Sequence, residues 1–463
     1  MHEPGEQAPV APATAGGDPG RALPGRPASR RRLLQGACAL AAVAAVGTGG
    51  VTAQRLLRPA VDPRTVIPLY SGTVAYDAAG RRTLVAAGDA ALSLVPGSRL
   101  ALDLPAASPV RERAQGFAGG SAAWRDRVAA VLAADPVLVD LADSALADLW
   151  VLTDDLPAPV AGWSPRWQYV WPRDASFGAV ALARIGHLDR AVAALEHLQG
   201  LQAGDGWFEA RFLPGTDRAP DRRGRQFDGT GLLLWAASEV IACAPAARRD
   251  ELRERLRPLI GTSLSALLGA TRGGAGLPPV SPDYWEVRES SVTLGIMAAT
   301  LAGLRAGAHL TGRAAAQEAA ETFTVLLAGT FGASGHQRYR GGGGADSARA
   351  FFDATGGHGV VPLPSLRALR HELARPAGGI APGAAWREDG ISWTPSTSLL
   401  ALALARAGDR GAAQELLHWL AAHRTAAGSL PEKVLFDGSP AAVAPLSWTA
   451  ANVLITLDVL ASG

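Results

Sequence analysis

The chain has 463 residues, 48% of them hydrophobic and 19% charged, which supports a large buried core and excludes a fibrous or wholly disordered protein. A formal net charge of +2, with several of the arginines near the N-terminus, leaves no concentrated basic face and excludes a nucleic-acid partner. The two cysteines, Cys38 and Cys243, cannot build a disulfide framework, and no C-x-x-C or H-E-x-x-H spacing offers a metal site, so neither metal nor organic cofactor is expected.

Residues 1–60 stand apart from the fold. Met1 to Pro27 is rich in Pro, Gly and Ala and cannot offset its ordering entropy by burial. Ser29-Arg30-Arg31-Arg32-Leu33-Leu34-Gln35 then precedes an apolar run from Ala37 to Val46, a pattern that resembles a twin-arginine export signal. Val51-Thr52-Ala53 supplies the small residues of a cleavage site. The apolar run falls short of the roughly 20 residues of a membrane span. An exported protein, extracellular or attached to the cell envelope, is therefore expected, with an uncleaved N-terminal membrane anchor as the alternative.

Residues 61–118 have a different texture. Thr73–Tyr76, Thr83–Ala86, Ala91–Leu94 and Arg99–Leu102 are short runs broken by Gly, Asp or Pro, and predict a small β meander. From 119 to 463 the pattern is helical. Ala181-Leu-Ala-Arg-Ile-Gly186 recurs as Ala403-Leu-Ala-Arg-Ala-Gly408, each followed by an amphipathic helix and then a loop. Leu301-Ala-Gly-Leu-Arg-Ala-Gly307 is a weaker third copy. Eleven or twelve helices in such hairpins predict a closed double-layered α/α toroid, with an open solenoid as the competing architecture. In a toroid the loops of one end converge, so acids from distant repeats meet.

Three loop stretches carry the candidate chemistry. In Trp167-Gln-Tyr-Val-Trp-Pro-Arg-Asp174, Trp171, Arg173 and Asp174 combine a stacking platform, a forked donor and an acceptor, which suits a polar ring compound. The alternative is an Asp174 that caps the next helix and pairs with Arg173. In Ser281-Pro-Asp-Tyr-Trp-Glu-Val-Arg-Glu-Ser290, Glu286 follows Trp285. A carboxyl beside an indole is partly desolvated, an environment that favours its protonated form. The competing reading is an acid that caps the following helix or pairs with Arg288. In Gly428-Ser-Leu-Pro-Glu-Lys433, Glu432 sits in a polar loop beside Lys433, which favours the ionised form; the alternative is an ordinary exposed glutamate.

Tyr169-Val-Trp-Pro-Arg-Asp174, Gln226-Phe-Asp-Gly-Thr-Gly231, Trp285-Glu-Val-Arg288, Leu430-Pro-Glu432 and Pro445-Leu-Ser-Trp448 occur in the order seen in the glucoamylase-like enzymes of glycoside hydrolase family 15, which the chain resembles from about Gly162 to Leu460. The resemblance implies an all-α (α/α)6 barrel and inverting hydrolysis of α-glucosidic bonds at the non-reducing end of an oligo- or polysaccharide α-glucan. It implies Glu286 as general acid, Glu432 as general base, and Arg173 and Asp174 as grips on the terminal sugar. Trp171, Trp207, Asp228, Trp285 and Arg288 are expected to line the same funnel. An inverting pair must stand about 6.5–9.5 Å apart to admit a water.

Departures from the family are specific. Val287 stands where fungal relatives carry a second acid, and Val287-Arg288 matches other bacterial branches. The β-sandwich of many bacterial relatives is reduced to the short meander, and only Arg387 is a candidate for an arginine the fungal enzymes place before the Trp393 region. The linkage stays open among α-1,4, α-1,6 and the α,α-1,1 bond of trehalose. A catalytically inactive glycan-binding envelope protein is the other reading. A terpene-type cyclase would need an acid-rich D-D-x-x-D or D-x-D-D motif, and the barrel region has none.

Overall fold

The computed structural model describes residues 62–88 and 93–462. The export-signal pattern with Cys38 therefore lies outside the described residues, as do Ala91 and Leu92 of the Ala91–Leu94 run.

The N-terminal part opens with a hairpin of β1 (Thr73–Tyr76) and β2 (Arg82–Val85), paired antiparallel with Thr73 opposite Val85. The Arg99–Leu102 run adds single bridges, Leu100 to Tyr76 and Ala101 to Leu94, instead of a full strand. Helix begins earlier than the sequence predicts. Ser108 caps the N-terminus through Val110 N–H, Pro109 occupies the first turn, and α1 runs Pro109–Val131 straight through Gly116, Gly119 and Gly120.

Next come α2 (Pro136–Val151), α3 (Pro172–Arg184), α4 (Leu188–Leu201), α5 (Asp228–Cys243), α6 (Arg249–Arg255), α7 (Arg257–Ala270), α8 (Leu294–Thr311) and α9 (Ala314–Thr330). After these follow α10 (Arg349–Ala354), α11 (Leu363–Glu372), α12 (Thr394–Arg406), α13 (Arg410–Ala422) and α14 (Ser447–Ser462). The tally exceeds the sequence expectation because α1 is additional and Pro258 restarts one outer helix as α6 and α7.

Six helices, α3, α5, α8, α10, α12 and α14, pack each on the next, and α14 returns to α3. That closed ring is the inner layer of an (α/α)6 toroid. Outside it lie α2, α4, α7, α9, α11 and α13. The two layers read differently in sequence. Inner helices are buried nearly all round, as in α14, where Ser447 to Asp458 is buried throughout, so they carry little amphipathic signal. Outer helices such as α4 bury one stripe, Ala191, Val192, Ala194, Leu195 and Leu198.

The internal echo marks inner-to-outer turns. Gly186 (φ 101°) ends the α3 copy and Gly408 (φ 85°) the α12 copy, both in a conformation that a Cβ disfavours. The third copy behaves differently: Gly307 lies inside α8, and the turn comes at Gly312. Gly307 is small because Leu264 of α7 presses on it, with a Cβ there falling 2.6 Å from Leu264 Cδ1. The closest approach in the ring is between α5 and α8, where a Cβ on Gly231 would stand 1.9 Å from the Ala299 carbonyl oxygen.

The chain enters each inner helix from the same end of the barrel. A three-stranded antiparallel sheet there, β3 (Ser392–Trp393), β4 (Lys433–Val434) and β5 (Pro440–Ala441), ties the loops before α12 and α14 together. The N-terminal part docks on it: Tyr70 N–H donates to Ala442 O (2.8 Å) and Ser71 Oγ to Ala444 O (2.6 Å).

Candidate active site

The mouth formed by the N-terminal ends of the inner helices gathers most of the singled-out residues. Pro172 starts α3, so Arg173 and Asp174 lie in its first turn. Asp228 is the first residue of α5. Glu286 belongs to the loop before α8, and Glu432 directly precedes β4.

Arg173 is the hub. Its Nε donates to Asp174 Oδ1 (3.1 Å), Nη1 to Asp228 Oδ2 (3.1 Å) and Gln226 Oε1 (3.4 Å), and Nη2 to Glu286 Oε1 (3.0 Å). Burial pushes Asp174 and Asp228 each up to about 6; the Arg173 guanidinium opposes this, while Glu286 reinforces it. The same carboxylates hold Arg173 firmly protonated against the cost of its own burial. Asp174 therefore pairs with its neighbour, and the helix cap bond it could have made is absent.

Glu286 differs from expectation. Its carboxylate is set among polar donors, with Gln226 Nε2 (3.0 Å) joining Arg173 on Oε1 and Arg223 Nη1 (3.0 Å) on Oε2. The neighbouring indole is engaged elsewhere. Trp285 lies under the Arg338 guanidinium, 3.5 Å from the ring centre, and packs edge-on against Trp386. The backbone explains the separation. Asp283 Oδ1 accepts Trp285 N–H (3.0 Å), the Asp283 carbonyl accepts Glu286 N–H (2.8 Å), and Glu286 has φ 55°. A non-glycine residue at such a φ costs energy that the surrounding bonds must hold in place.

Those bonds come from Arg338, which sequence reasoning missed. It is fully buried, and reaches Asp283 (3.1 Å), Asp346 (3.0 Å) and Glu289. Its position before Gly341–Gly344 resembles an ordinary surface loop, and nothing in the local sequence separates it from Arg340. Arg288, by contrast, is exposed and makes no hydrogen bond or ion pair among the described residues, so Glu286 does not pair with it. Arg387 is also exposed and lies over Trp386.

Glu432 is held by its backbone. Its N–H donates to Val443 O (2.8 Å), and its carbonyl accepts Thr394 N–H (3.1 Å). Lys433 Nζ stands 3.3 Å from Glu432 Oε2 but out of hydrogen-bond alignment, because the ammonium lies over the Trp393 ring. Oε2 is consequently buried with no hydrogen-bond partner among the described residues. A second missed pair braces the loop behind it. On α2, Asp148 accepts from Ser429 Oγ and Leu430 N–H (both 2.8 Å) and from Arg99, a fully buried arrangement. Burial shifts Asp148 upward and Arg99 resists.

The aromatic residues divide. Trp171 is buried in a small cluster with Ala161, Val443 and Leu446, with Arg211 over its ring, so it is packing between the two loops and no open platform. Trp207 packs on Phe227 and under Arg225. Trp448 lies under Arg173 at 5.4 Å. The indole N–H groups of Trp285, Trp386, Trp393 and Trp448 are buried without a partner among the described residues. A surface cavity of about 420 Å³ lies elsewhere, against α2 and the 424–428 loop, and its charged lining is already paired, as in Arg424 with Asp140.

No family model and no curated protein matches the chain. Solved structures match its fold. A glycosidase variant in complex with glucose superimposes with TM-score 0.59 at 23% identity, over 70% of this chain and 98% of that one. A bacterial glucoamylase complexed with acarbose gives TM-score 0.55 at 17% identity, over 71% of this chain and 56% of that one. The glucoamylase of Saccharomycopsis fibuligera gives 0.53 at 13%, over 70% and 94%. The shared architecture is the glucoamylase-like (α/α)6 toroid.

Proposed function

We propose that the protein is an inverting glycoside hydrolase that removes glucose from the non-reducing end of α-glucosides, with Glu286 as general acid and Glu432 as general base. The observation that carries this reading is the placement of Glu286 and Glu432 on the loops that precede the inner helices α8 and α14. Glu286 lies in a hydrogen-bonded network with the buried Arg173, and Glu432 has one buried oxygen without a hydrogen-bond partner among the described residues, 3.3 Å from Lys433 Nζ. An inverting reaction needs one carboxyl that donates a proton to the leaving oxygen and another that takes one from water on the opposite face. Asp174, Asp228 and Arg173 supply acceptors and donors for a ring of hydroxyls. The glycosidase and glucoamylase names of the fold neighbours agree with this chemistry. Export, also part of the proposal, rests on Arg30, Arg31 and the apolar run after them. Changing both arginines to Lys should leave the protein inside the cell, and undiminished secretion of the double variant would remove that part.

The test is a panel of maltose, isomaltose, trehalose, dextran, soluble starch and α-glucosyl fluoride, with the anomer of released glucose read by NMR. Wild type should release β-glucose. Glu286→Gln should lose about 10²–10⁴-fold on the natural glucosides and much less on the fluoride, whose leaving group needs little protonation. Glu432→Gln should lose activity on both. Release of α-glucose, or near-normal hydrolysis of every glucoside by Glu286→Gln, would overturn the assignment.

A further inference from the structure

We infer that Lys433 is the positioning residue for the general base: its ammonium holds Oε2 of Glu432 and leaves Oε1 as the oxygen that takes a proton from the attacking water. This deepens the hydrolase reading above and rests on it. The backbone of Glu432 is fixed on both sides, by the Val443 carbonyl and by the Thr394 N–H. Its side chain is not. Neither carboxylate oxygen accepts a hydrogen bond among the described residues, although the side chain is only 12% exposed. Among those residues Lys433 is the one cation within ion-pair distance, with Nζ 3.3 Å from Oε2.

The two oxygens have different surroundings. Oε2 is buried against the ammonium, whereas Oε1 is neither hydrogen-bonded nor among the fully buried unpaired atoms, so it is the oxygen open to solvent. A base needs that arrangement: as the water oxygen bonds to the anomeric carbon, its proton passes to a bare carboxylate oxygen while Glu286 gives its own to the leaving oxygen. Glu286 contrasts, because both of its oxygens accept hydrogen bonds, from Arg173 and Gln226 on one and Arg223 on the other. Lys433 reaches Oε2 from a place set by the sheet. It opens β4 opposite Trp393 of β3, and its ammonium lies 4.4 Å from the centre of the Trp393 ring. An indole holds a cation by its face and takes up no particular N–H, so the charge stays available to the neighbouring carboxylate. A guanidinium would present a fork suited to both oxygens, whereas an ammonium is a compact charge that engages one.

Without the ammonium no described side chain sets the direction of the Glu432 carboxylate. A displacement of about 1 Å at a catalytic group costs on the order of 10²-fold in rate. The loss falls on kcat, because the water is activated after the sugar is bound. KM is spared, since the grip on the sugar belongs to Arg173, Asp174 and Asp228, a cluster joined by its own hydrogen bonds.

The test is Lys433→Met in the full-length protein, which keeps an unbranched stem beside Trp393 and removes the charge. On the glucoside that wild type hydrolyses fastest, and equally on α-glucosyl fluoride, kcat should fall by about 10–100-fold. KM should stay within about threefold of wild type. A kcat within about threefold of wild type overturns the inference, as does a loss that spares the fluoride, which places the fault at Glu286. In the Glu432→Gln background, Lys433→Met should change the remaining rate by less than about threefold, because a residue that acts through Glu432 has nothing left to position. An undiminished further loss there overturns the inference. If the Met variant does not fold by circular dichroism, Lys433→Gln takes its place. The crystal structure of the variant should show the Glu432 carboxylate turned from its wild-type place with the bonds to Val443 and Thr394 intact, and an unmoved carboxylate overturns the inference whatever the rates. If wild type hydrolyses no glucoside, the fluoride included, the hydrolase reading is what fails, and the two crystal structures alone decide whether Lys433 holds Glu432.

Discussion

Replacing Arg338 by Met tests how the Glu286 turn is held. The substitution keeps the length and apolar stem of the side chain and deletes its charge. Arg338 is fully buried, and its guanidinium is the cation facing Asp283, Asp346 and Glu289, whose side chains are 1%, 0% and 4% exposed. Each carboxylate keeps another partner. Thr293 and Trp285 N–H serve Asp283, Tyr284 and Ala348 N–H serve Asp346, and Tyr339 serves Glu289. The loss is therefore that of one buried cation, about 3–5 kcal/mol, and not three separate ion pairs. With unfolding entropy near 2 cal/mol/K per residue and about 400 ordered residues, Tm should fall by roughly 4–6 °C in a circular-dichroism melt at pH 7. The deficit also has a sign in pH. Burial already pushes the Asp346 carboxyl up against the pull of Arg338; without the cation it rises further above its unfolded value, so its stability contribution is present at low pH and lost as pH rises. The gap from wild type should narrow toward pH 5. Arg338→Lys, which restores the charge without the fork, should recover part of the loss. An unchanged Tm, or a deficit that widens on acidification, would refute the reasoning.

Gly231→Ala should destabilise the protein by about 1–3 kcal/mol in urea unfolding, although Ala is the better helix former, because its Cβ meets the Ala299 carbonyl at 1.9 Å and must force α5 from α8. Gly261→Ala, on the exposed side of α7 with no atom within 4 Å of the added Cβ, should stabilise by about 0.5–1 kcal/mol. Equal effects at the two sites would show that packing does not set the ring's closest contact.

The toroid was legible because its signals are local. Gly186 and Gly408 close equivalent turns, and α4 and α13 each show one apolar stripe. The loop acids could be singled out for the same reason, since Pro172, Pro282 and Pro431 mark where loops end or bend. The partners of those acids were not legible. Arg223 and Glu286 are 63 positions apart, Arg338 and Asp283 55, and Ser429 and Asp148 281. Ion pairs across a closed ring follow its geometry and not the order of the chain. A pairing of Glu286 with Arg288 was the competing reading because the two are close in sequence, but Glu286 pairs with Arg173 and Arg223 instead. The indole beside Glu286 misled in the same way: Trp285 is next in sequence and belongs to the Arg338 cluster in space.

The arrangement also explains how one mouth tolerates so many acids. Asp174 and Asp228 lie in the first turns of α3 and α5, where unpaired backbone N–H groups and the helix dipole favour negative charge. Burial nevertheless wins at both positions, which are pushed up to about 6 with only Arg173 among their main influences pulling the other way. Asp174 and Asp228 share one buried guanidinium, and a proton taken up there belongs to the pair and not to one residue. Arg223 adds a second positive charge from outside.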